Sequence, residues 1–321
     1  MKPRSAPTLS QMRLFLAVLQ AGGFGEAAAE LGMSQSSVSE GVAGLERALN
    51  VRLLRRTASG VTPTPAGTRA QAHAERAVQA AQDLQLAVQD DAELHGTLTL
   101  AAPRSVATFL LPPVLAAFRA RHPDVRVQVM DADSDGRDPG TLLQSGRADV
   151  VILNLPAQGP LLSWPYWQDE YVLIVPGDRG APGETRARWA DLNGTLLLPA
   201  GTDACNRRLH TYLHEHAVTP QSVLEIENDS VMLGLVAHGL GYAILPRLAT
   251  LPLPAGVRVL PLPETLERHL GVAVLPARAG LPLVSALASS LRTRAAGEAA
   301  LPVDAVRQGA SGVTLPGGPA A

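Results

Sequence analysis

The chain has almost no cysteine and no long apolar stretch. Cys205 is the single cysteine among 321 residues, and one cysteine cannot form a disulfide within the chain. This excludes a disulfide framework and favours a reducing compartment. No uninterrupted apolar run reaches the ~18 residues of a membrane-spanning helix, and the first ten residues lack the apolar core of a signal peptide. We therefore expect a cytoplasmic protein that does not enter a membrane.

Motifs that would indicate an enzyme are also missing. The sequence contains no Walker-type phosphate loop, no nucleophile elbow and no pair of catalytic carboxylates. His210 and His214 have the spacing of two metal ligands on one helix face, but no clear carboxylate or thiolate accompanies them. The sequence therefore predicts a protein that is not an enzyme and that holds neither a cofactor nor a metal.

Positive charge is concentrated at one end of the chain. Of the 27 basic and 29 acidic residues, eight and four lie within residues 1–70, which gives that part a net charge of +4. The other 19 basic and 25 acidic residues give the rest a net charge of −6. A basic end on a mildly acidic body is typical of proteins that meet phosphate groups through that end.

The first 65 residues have the pattern of a small helical DNA-binding domain. Apolar spacing predicts helices at about 9–20, 25–31 and 35–49, with a tight turn at Gly32 and a capping residue at Ser34. Two short extended pieces between Val51 and Pro63 predict a hairpin. A short helix, a tight turn and a second helix with one apolar stripe form a helix-turn-helix.

A long helix is predicted next, over residues 66–94. Small and apolar side chains recur in it at steps of 4, 3, 4, 3 and 4, which is the seam of a heptad repeat. These positions are Ala70, Ala74, Ala77, Ala81, Leu84 and Val88. The pattern favours a linker helix that dimerises; the alternative is a helix packed on its own domain.

Residues 95–295 alternate short apolar runs with helical stretches, which predicts an α/β domain with a mainly parallel sheet. One helix is expected from Val106 to Arg121, and a strand at His269–Val274. Residues 296–321 are rich in Gly, Ala and Pro and are predicted to be a disordered tail.

Two groups of polar residues in the first domain are candidates for DNA contacts. Short polar side chains on the outer face of the third helix can approach base edges. Arginines just after it can bind phosphates. The candidates are Ser34, Gln35, Ser36, Ser39, Glu40, Arg52, Arg55, Arg56 and Thr57. Alternatively, these residues form an ordinary solvated surface.

Residues 9–67 resemble the LysR-type transcriptional regulators. The resemblance rests on Phe24, Ala27-Ala28, Ser34-Gln35 with Ser39, Leu45-Glu46, the run Leu53 to Arg56, and Thr64-Pro65-Ala66-Gly67. It implies a winged helix-turn-helix with Gln35, Ser36 and Ser39 near bases and with Arg55 and Arg56 near the backbone. Three features depart from the family pattern. Glu40 stands where a basic residue is usual, Gly25 replaces a usual Ser or Thr, and Gly41 and Gly44 interrupt the recognition helix at a cost of roughly 1 kcal/mol each.

The resemblance continues more loosely from Gly96 to Arg294. It implies an effector domain of two α/β lobes, similar to periplasmic solute-binding proteins, with a small ligand in the cleft between them. The predicted ligand contacts are Ser105, Ser134 and Thr202. Ser105 and Thr202 stand before helices whose first N–H groups suit an anion. Arg104 suggests a negatively charged ligand, although a surface salt bridge explains it equally well. Cys205 lies near this predicted cleft and is expected to be a passive small residue.

The sequence thus predicts a regulator that binds double-stranded promoter DNA as a homodimer or homotetramer and senses a small organic effector. Two alternatives remain open at this point. One is a solute-binding or enzymatic α/β module, and the other is a regulator that has no small-molecule effector.

Overall fold

The computed structural model describes residues 6–57, 60–88, 94–132, 139–179, 185–200, 204–226 and 228–297. Its helices are α1 (Leu9–Ala21), α2 (Phe24–Leu31), α3 (Gln35–Leu49), α4 (Pro65–Ala87), α5 (Arg104–Phe109), α6 (Leu111–Arg121), α7 (Pro139–Gln144), α8 (Ala204–Glu215), α9 (Asp229–Ala237) and α10 (Pro282–Gly297). Its strands are β1 (Leu54–Thr57), β2 (Gly60–Pro63), β3 (Gly96–Ala102), β4 (Val125–Asp131), β5 (Val150–Asn154), β6 (Leu162–Pro176), β7 (Thr195–Pro199), β8 (Ser222–Ile226), β9 (Tyr242–Pro246), β10 (Val257–Pro261) and β11 (Glu267–Val274). Short 3-10 helices cover Trp189–Leu192, Arg247–Thr250 and Pro276–Arg278.

The N-terminal domain contains the predicted helices and hairpin. Phe15 and Val18 of α1 are fully buried against Val38 of α3, and β1 pairs with β2 in antiparallel register. The two glycines of α3 have a packing role. A Cβ at Gly41 would lie 2.2 Å from the Cδ1 atom of Leu14, and one at Gly44 would lie 2.7 Å from Gln11. The glycines therefore allow α1 to approach α3 closely, which offsets their low helix propensity.

Helix α4 starts at the Thr-Pro-Ala-Gly motif. The Thr64 hydroxyl caps the helix by accepting from the Gly67 N–H at 3.0 Å, and Pro65 occupies the first turn, where no intrahelical N–H bond is lost. A Cβ at Gly67 would lie 2.0 Å from the Leu53 carbonyl oxygen, so only glycine fits this close approach.

The two halves of the α4 seam have different surroundings. Ala70 and Ala74 pack against the core of the N-terminal domain. Leu84 and Val88 are 67% and 77% exposed. The helix ends at Ala87, and residues 89–93 of the predicted linker lie outside the described residues.

The remaining strands form one sheet that serves two lobes, in the order β4-β3-β5-β11-β6-β9-β7-β8, with β10 also paired to β6. Lobe 1 contains the parallel strands β3, β4 and β5, and lobe 2 contains the parallel strands β7, β8 and β9. Strands β6 and β11 run antiparallel to each other in the middle, and β6 is long enough to take part in both lobes. The sheet is therefore mixed, with parallel pairs confined to its two sides.

Two sequence expectations differ from the structure in detail. The helix expected over 106–121 is two helices, α5 and α6, which meet at Leu110. Pro112 and Pro113 lack N–H groups and suit the first turn of a new helix rather than the middle of an old one. The predicted tail 296–321 lies outside the described residues except at 296 and 297, which end α10.

Among the helices of the described ranges, none combines the length and the apolarity needed to cross a membrane on its own. Helices α1 and α2 would reach the required length only as a pair, and the two are bent by 115° at the break between them.

Candidate DNA interface and effector cleft

The recognition helix presents its predicted polar face to solvent. Gln35, Ser36 and Glu40 are exposed and Ser39 is half-buried, whereas Val38 and Val42 on the opposite face are buried. Ser34 caps the helix, because its hydroxyl accepts from the Ser37 N–H at 3.2 Å. The polar face is accessible to solvent and the opposite face packs on the domain core, as expected of a helix that enters the major groove.

The wing carries two of the three predicted arginines. Arg55, Arg56 and Thr57 lie on β1 and are all exposed. The Arg55 Nε donates to the Thr62 hydroxyl at 2.9 Å across the hairpin, and the Arg56 guanidinium lies 5.4 Å from the ring centroid of Phe24. Neither contact neutralises the positive charge, so both side chains stay available for phosphate.

Glu46 is a structural residue of this domain whose role the sequence did not indicate. Its carboxylate is buried and accepts from the Leu53 N–H at 2.8 Å and the Leu54 N–H at 3.2 Å. It also pairs with Arg52 at 2.9 Å, while the Arg52 side chain stays 83% exposed. Glu46 therefore connects the recognition helix to the start of the wing. Its carboxylate also compensates part of the positive charge of Arg52.

The junction between the two lobes contains a buried ion pair that the sequence did not reveal. Arg268 on β11 and Asp169 on β6 face each other in register, and their side chains are 3% and 5% exposed. The Arg268 Nη2 atom lies 2.9 Å from the Asp169 carboxylate and also donates to the Ser105 hydroxyl at 3.2 Å. The Asp169 carboxylate accepts from the Leu248 N–H as well. Burial raises the pKa of the Asp169 carboxyl, and the Arg268 charge opposes this rise.

Cys205 of lobe 2 approaches this ion pair from the other side. The thiol of Cys205, in the first turn of α8, lies 4.0 Å from Arg268 Nη1 and 3.6 Å from the Asn154 side-chain amide of β5. The buried Tyr171 hydroxyl lies beside the same thiol, and burial raises its pKa, so it stays protonated. Among the described residues around this ion pair, three buried polar atoms make no hydrogen bond to nitrogen or oxygen. They are Asn154 Oδ1, Tyr171 Oη and Arg208 Nε.

The other predicted ligand residues have different surroundings. Ser105 is 8% exposed and meets Arg268, as described. Arg104 forms a two-pronged contact with Asp131 at 3.0 and 2.9 Å, which is the salt-bridge alternative. Ser134 and Thr202 lie outside the described residues. Within those described, no three His, Cys, Asp or Glu side chains come together in a group that could hold a metal ion.

The two parts of the chain match the two halves of one protein family. Residues 9–68 match the profile described as bacterial regulatory helix-turn-helix protein, lysR family, and residues 91–296 match the LysR substrate binding domain. The chain belongs to the LysR family. It is 36% identical over 292 residues to a probable HTH-type transcriptional regulator, LrrA, of Synechococcus elongatus, which covers 89% of this chain and 97% of that protein.

Other LysR relatives extend the comparison. The chain is 32% identical over 259 residues to a probable hydrogen peroxide-inducible genes activator of Streptomyces viridosporus, covering 77% of this chain and 80% of the relative. A full-length OxyR of Pseudomonas aeruginosa has a similar fold, with a TM-score of 0.65, 23% identity and coverage of 89% and 94% of the two chains. Full-length BenM gives a TM-score of 0.55 at 21% identity, with coverage of 90% and 97%.

Family membership confirms the fold and the general function predicted from the sequence. The chain is a LysR-type transcription regulator with an N-terminal DNA-binding helix-turn-helix and a C-terminal α/β effector-binding domain. LysR regulators bind DNA and small-molecule effectors and assemble as oligomers. The individual residues that contact DNA and effector stay predictions. So do the bounds of the four predicted segments, 1–65, 66–94, 95–295 and 296–321.

Proposed function

We propose that this LysR regulator, which is not an enzyme and acts in the cytoplasm, changes its DNA binding when a small organic anion enters the cleft beside Ser105. The observation that carries this proposal is the junction of the lobes at Arg268. There, Ser105 of lobe 1 and Cys205 of lobe 2 approach the same guanidinium, and buried polar atoms around it lack partners. A ligand that supplies those partners would hold the two lobes in one arrangement.

The charges around the cleft favour an anion. Arg268 is neutralised by Asp169, and Arg104 is neutralised by Asp131. Arg208 on α8 keeps its Nε atom buried without a hydrogen-bond partner, and its charge acts on the Tyr171 hydroxyl. Among these described residues, the Arg208 guanidinium therefore keeps a positive charge without a partner anion, near the Tyr171 hydroxyl. A carboxylate would satisfy both.

A thermal-shift screen with small organic acids tests this proposal. An acid present at about 100 times its dissociation constant should stabilise the folded chain by roughly 2.7 kcal/mol. Ser105→Ala should weaken the binding of that acid by about ten-fold or more in calorimetric titration, because a hydrogen bond to a charged group contributes about 1.5–3 kcal/mol. Thr108→Ala is the matched control, since Thr108 lies in the same helix but its hydroxyl bonds only to the Arg104 carbonyl. Equal affinities in wild type and Ser105→Ala would show that the hydroxyl does not contact the ligand.

Cys205 supports a second candidate effector, hydrogen peroxide. Relatives of this chain are described as probable hydrogen peroxide-inducible genes activators. Donors from Arg268 and Asn154 lie within 4.0 Å of the Cys205 sulfur. A thiolate there would attack one peroxide oxygen, the O–O bond would break, and a sulfenic acid and hydroxide, which is protonated to water, would form.

Intact-mass measurement and DNA footprinting separate the two effectors. Peroxide should add one oxygen atom to wild-type protein in intact-mass measurements and change its DNA footprint, and Cys205→Ser should abolish both effects while still binding an acid. An external thiol would have to reverse the oxidation, because the chain has no second cysteine. If the DNA footprint of the wild-type protein is the same with and without peroxide, the acid is the remaining effector.

We also propose that the second half of α4 forms the contact between two copies of the chain. Leu84 and Val88 continue the heptad seam beyond the part that packs on the chain itself, and both are exposed. Leu84→Glu with Val88→Glu should reduce the mass of the oligomer in light scattering, because four like charges would meet in one dimer seam. Gln82→Glu with Gln85→Glu adds the same charge at exposed positions beside the seam and should leave the mass unchanged. An unchanged mass in the first variant would place the contact elsewhere.

A further inference from the structure

A buried arginine connects the linker helix to lobe 1. Arg278, in the 3-10 helix after β11, is 2% exposed. Its Nε donates to the Asp83 carboxylate of α4 at 2.9 Å, and its Nη1 donates to the Asp149 carboxylate, just before β5, at 2.6 Å. Asp83 and Asp149 thus share one guanidinium from opposite sides. We call Arg278, Asp83 and Asp149 the linker clamp.

Residues of α4 on either side of Asp83 also contact lobe 1. Gln79, one turn before Asp83, donates to the Asp83 carboxylate at 3.0 Å and covers Gly146, where a Cβ would lie 2.3 Å from the Gln79 Oε1 atom. Leu86, one turn later, packs on the lobe 1 core. Further toward the N-terminus of α4, a cavity of about 800 Å³ separates the helix from lobe 1, with Gln71, Glu75, Gln79 and Thr99 among its lining residues.

The elements that hold the linker clamp also hold the effector cleft. Strand β3 bonds to the clamp through the Thr99 N–H, which donates to Asp149 at 2.5 Å, and the chain reaches Ser105 at the cleft six residues later. Strand β11 carries Arg268 at the cleft and leads directly to Arg278 in the clamp. Both strands are paired with β5 inside lobe 1, so they form one stiff unit.

We propose that Arg278 is a positioning residue, which fixes the second half of α4 to lobe 1 so that a displacement of lobe 1 at the cleft moves the DNA-binding domain with it. This proposal rests on the effector cleft proposed above, but it does not depend on which effector binds. In this arrangement lobe 1, α4 and the helix-turn-helix of one chain move as one body, and lobe 2 moves against them through β6 and β11.

The experiment uses the single cysteine as a probe. N-ethylmaleimide attached to Cys205 in the full-length protein fills the cleft without any knowledge of the effector. Hydrogen exchange of the amides 79–87 and the affinity for duplex DNA from upstream of the protein's own gene are measured before and after labelling. Asp83→Asn removes the α4 side of the clamp and keeps the Arg278–Asp149 pair. Glu75→Gln is the control, because it makes the same chemical change on the same helix, where the hydrogen bond with Gln71 can persist.

We expect amides 79–87 to exchange about ten-fold faster in Asp83→Asn than in wild type, while the amides of β3 and β11 are unchanged. Labelling should alter exchange in α4 and DNA affinity several-fold in wild type and in Glu75→Gln, and should alter neither in Asp83→Asn. A helix that is merely stabilised by Asp83 would lose protection in the variant and still respond to the label.

Three results would overturn the proposal. The first is a response to labelling in Asp83→Asn equal to that of wild type, and the second is no response of α4 or of DNA affinity in labelled wild type. The third is faster exchange throughout lobe 1 in Asp83→Asn. Asp83 would then stabilise lobe 1 as a whole rather than join α4 to it. Failure of the unlabelled wild type to bind DNA would count against the regulator function. The hydrogen-exchange measurements would still test whether the linker clamp holds α4 to lobe 1.

Discussion

Arg268→Met is expected to lower the free energy of unfolding of the effector domain by about 3–5 kcal/mol, because it leaves the Asp169 carboxylate buried without its cation. Denaturant unfolding followed by tryptophan fluorescence measures this change. Arg126→Met is the matched control, since Arg126 is exposed on the edge strand β4, where a surface substitution changes stability by about 0.5 kcal/mol or less.

The cause of the loss can be separated from simple loss of packing. Adding Asp169→Asn to Arg268→Met removes the uncompensated charge, so the double variant should recover part of the stability that the single variant loses. If the double variant is no more stable than the single one, the lost contacts of the long side chain, rather than the charge of Asp169, explain the effect. A loss below about 1 kcal/mol in Arg268→Met would contradict the importance of the pair.

Arg55→Ala with Arg56→Ala should weaken DNA binding about 30-fold at 0.15 M salt, because each phosphate contact contributes a slope of about −0.9 to the dependence of log affinity on log salt. Two lost contacts should also flatten that slope by about 1.8. The loss should be similar for specific and non-specific duplexes, since phosphates carry no sequence information. Fluorescence anisotropy over a series of salt concentrations measures both quantities.

A change of net charge alone cannot produce this result. Arg119→Ala with Arg121→Ala removes the same charge from exposed positions on α6, in the effector domain, and should leave affinity and slope nearly unchanged. An unchanged salt slope in the Arg55 and Arg56 variant would remove the wing from the phosphate contacts and leave the recognition helix as the main interface.

The DNA-binding domain could be predicted from the sequence because its signals are local. Helix periodicity, the cap at Ser34 and the Thr-Pro-Ala-Gly motif each act over a few residues, and the structure has all three in the predicted places. What the sequence did not show was why Gly41 and Gly44 occur in the recognition helix. Their role depends on Leu14 and Gln11, which lie on another helix about 30 residues earlier.

The cleft could be predicted only in outline, because its central contacts join distant parts of the chain. Arg268 lies 99 residues from Asp169 and 163 from Ser105, and Arg278 lies 195 residues from Asp83. No periodicity spans such separations. One sequence signal was nevertheless present. Arg268 lies near the start of the strongly apolar β11, and Asp169 lies in the middle of β6, shortly before its apolar half. Charged residues in such strands are seldom buried unless they are paired.

The two lobes also depend on each other for completing their folds during synthesis. Strand β11 lies between β5 and β6 in the sheet, although β5 and β6 are made more than 90 residues before it. Lobe 1 therefore lacks a central strand until all of lobe 2 has left the ribosome, and its β5 edge stays open in the meantime. Such long-range pairing is slow to form. A nascent chain of this regulator would then be exposed to aggregation from the synthesis of β5 until β11 has been made. A fragment that stops before β11 would lack a soluble lobe 1 even though it contains most of that lobe's residues.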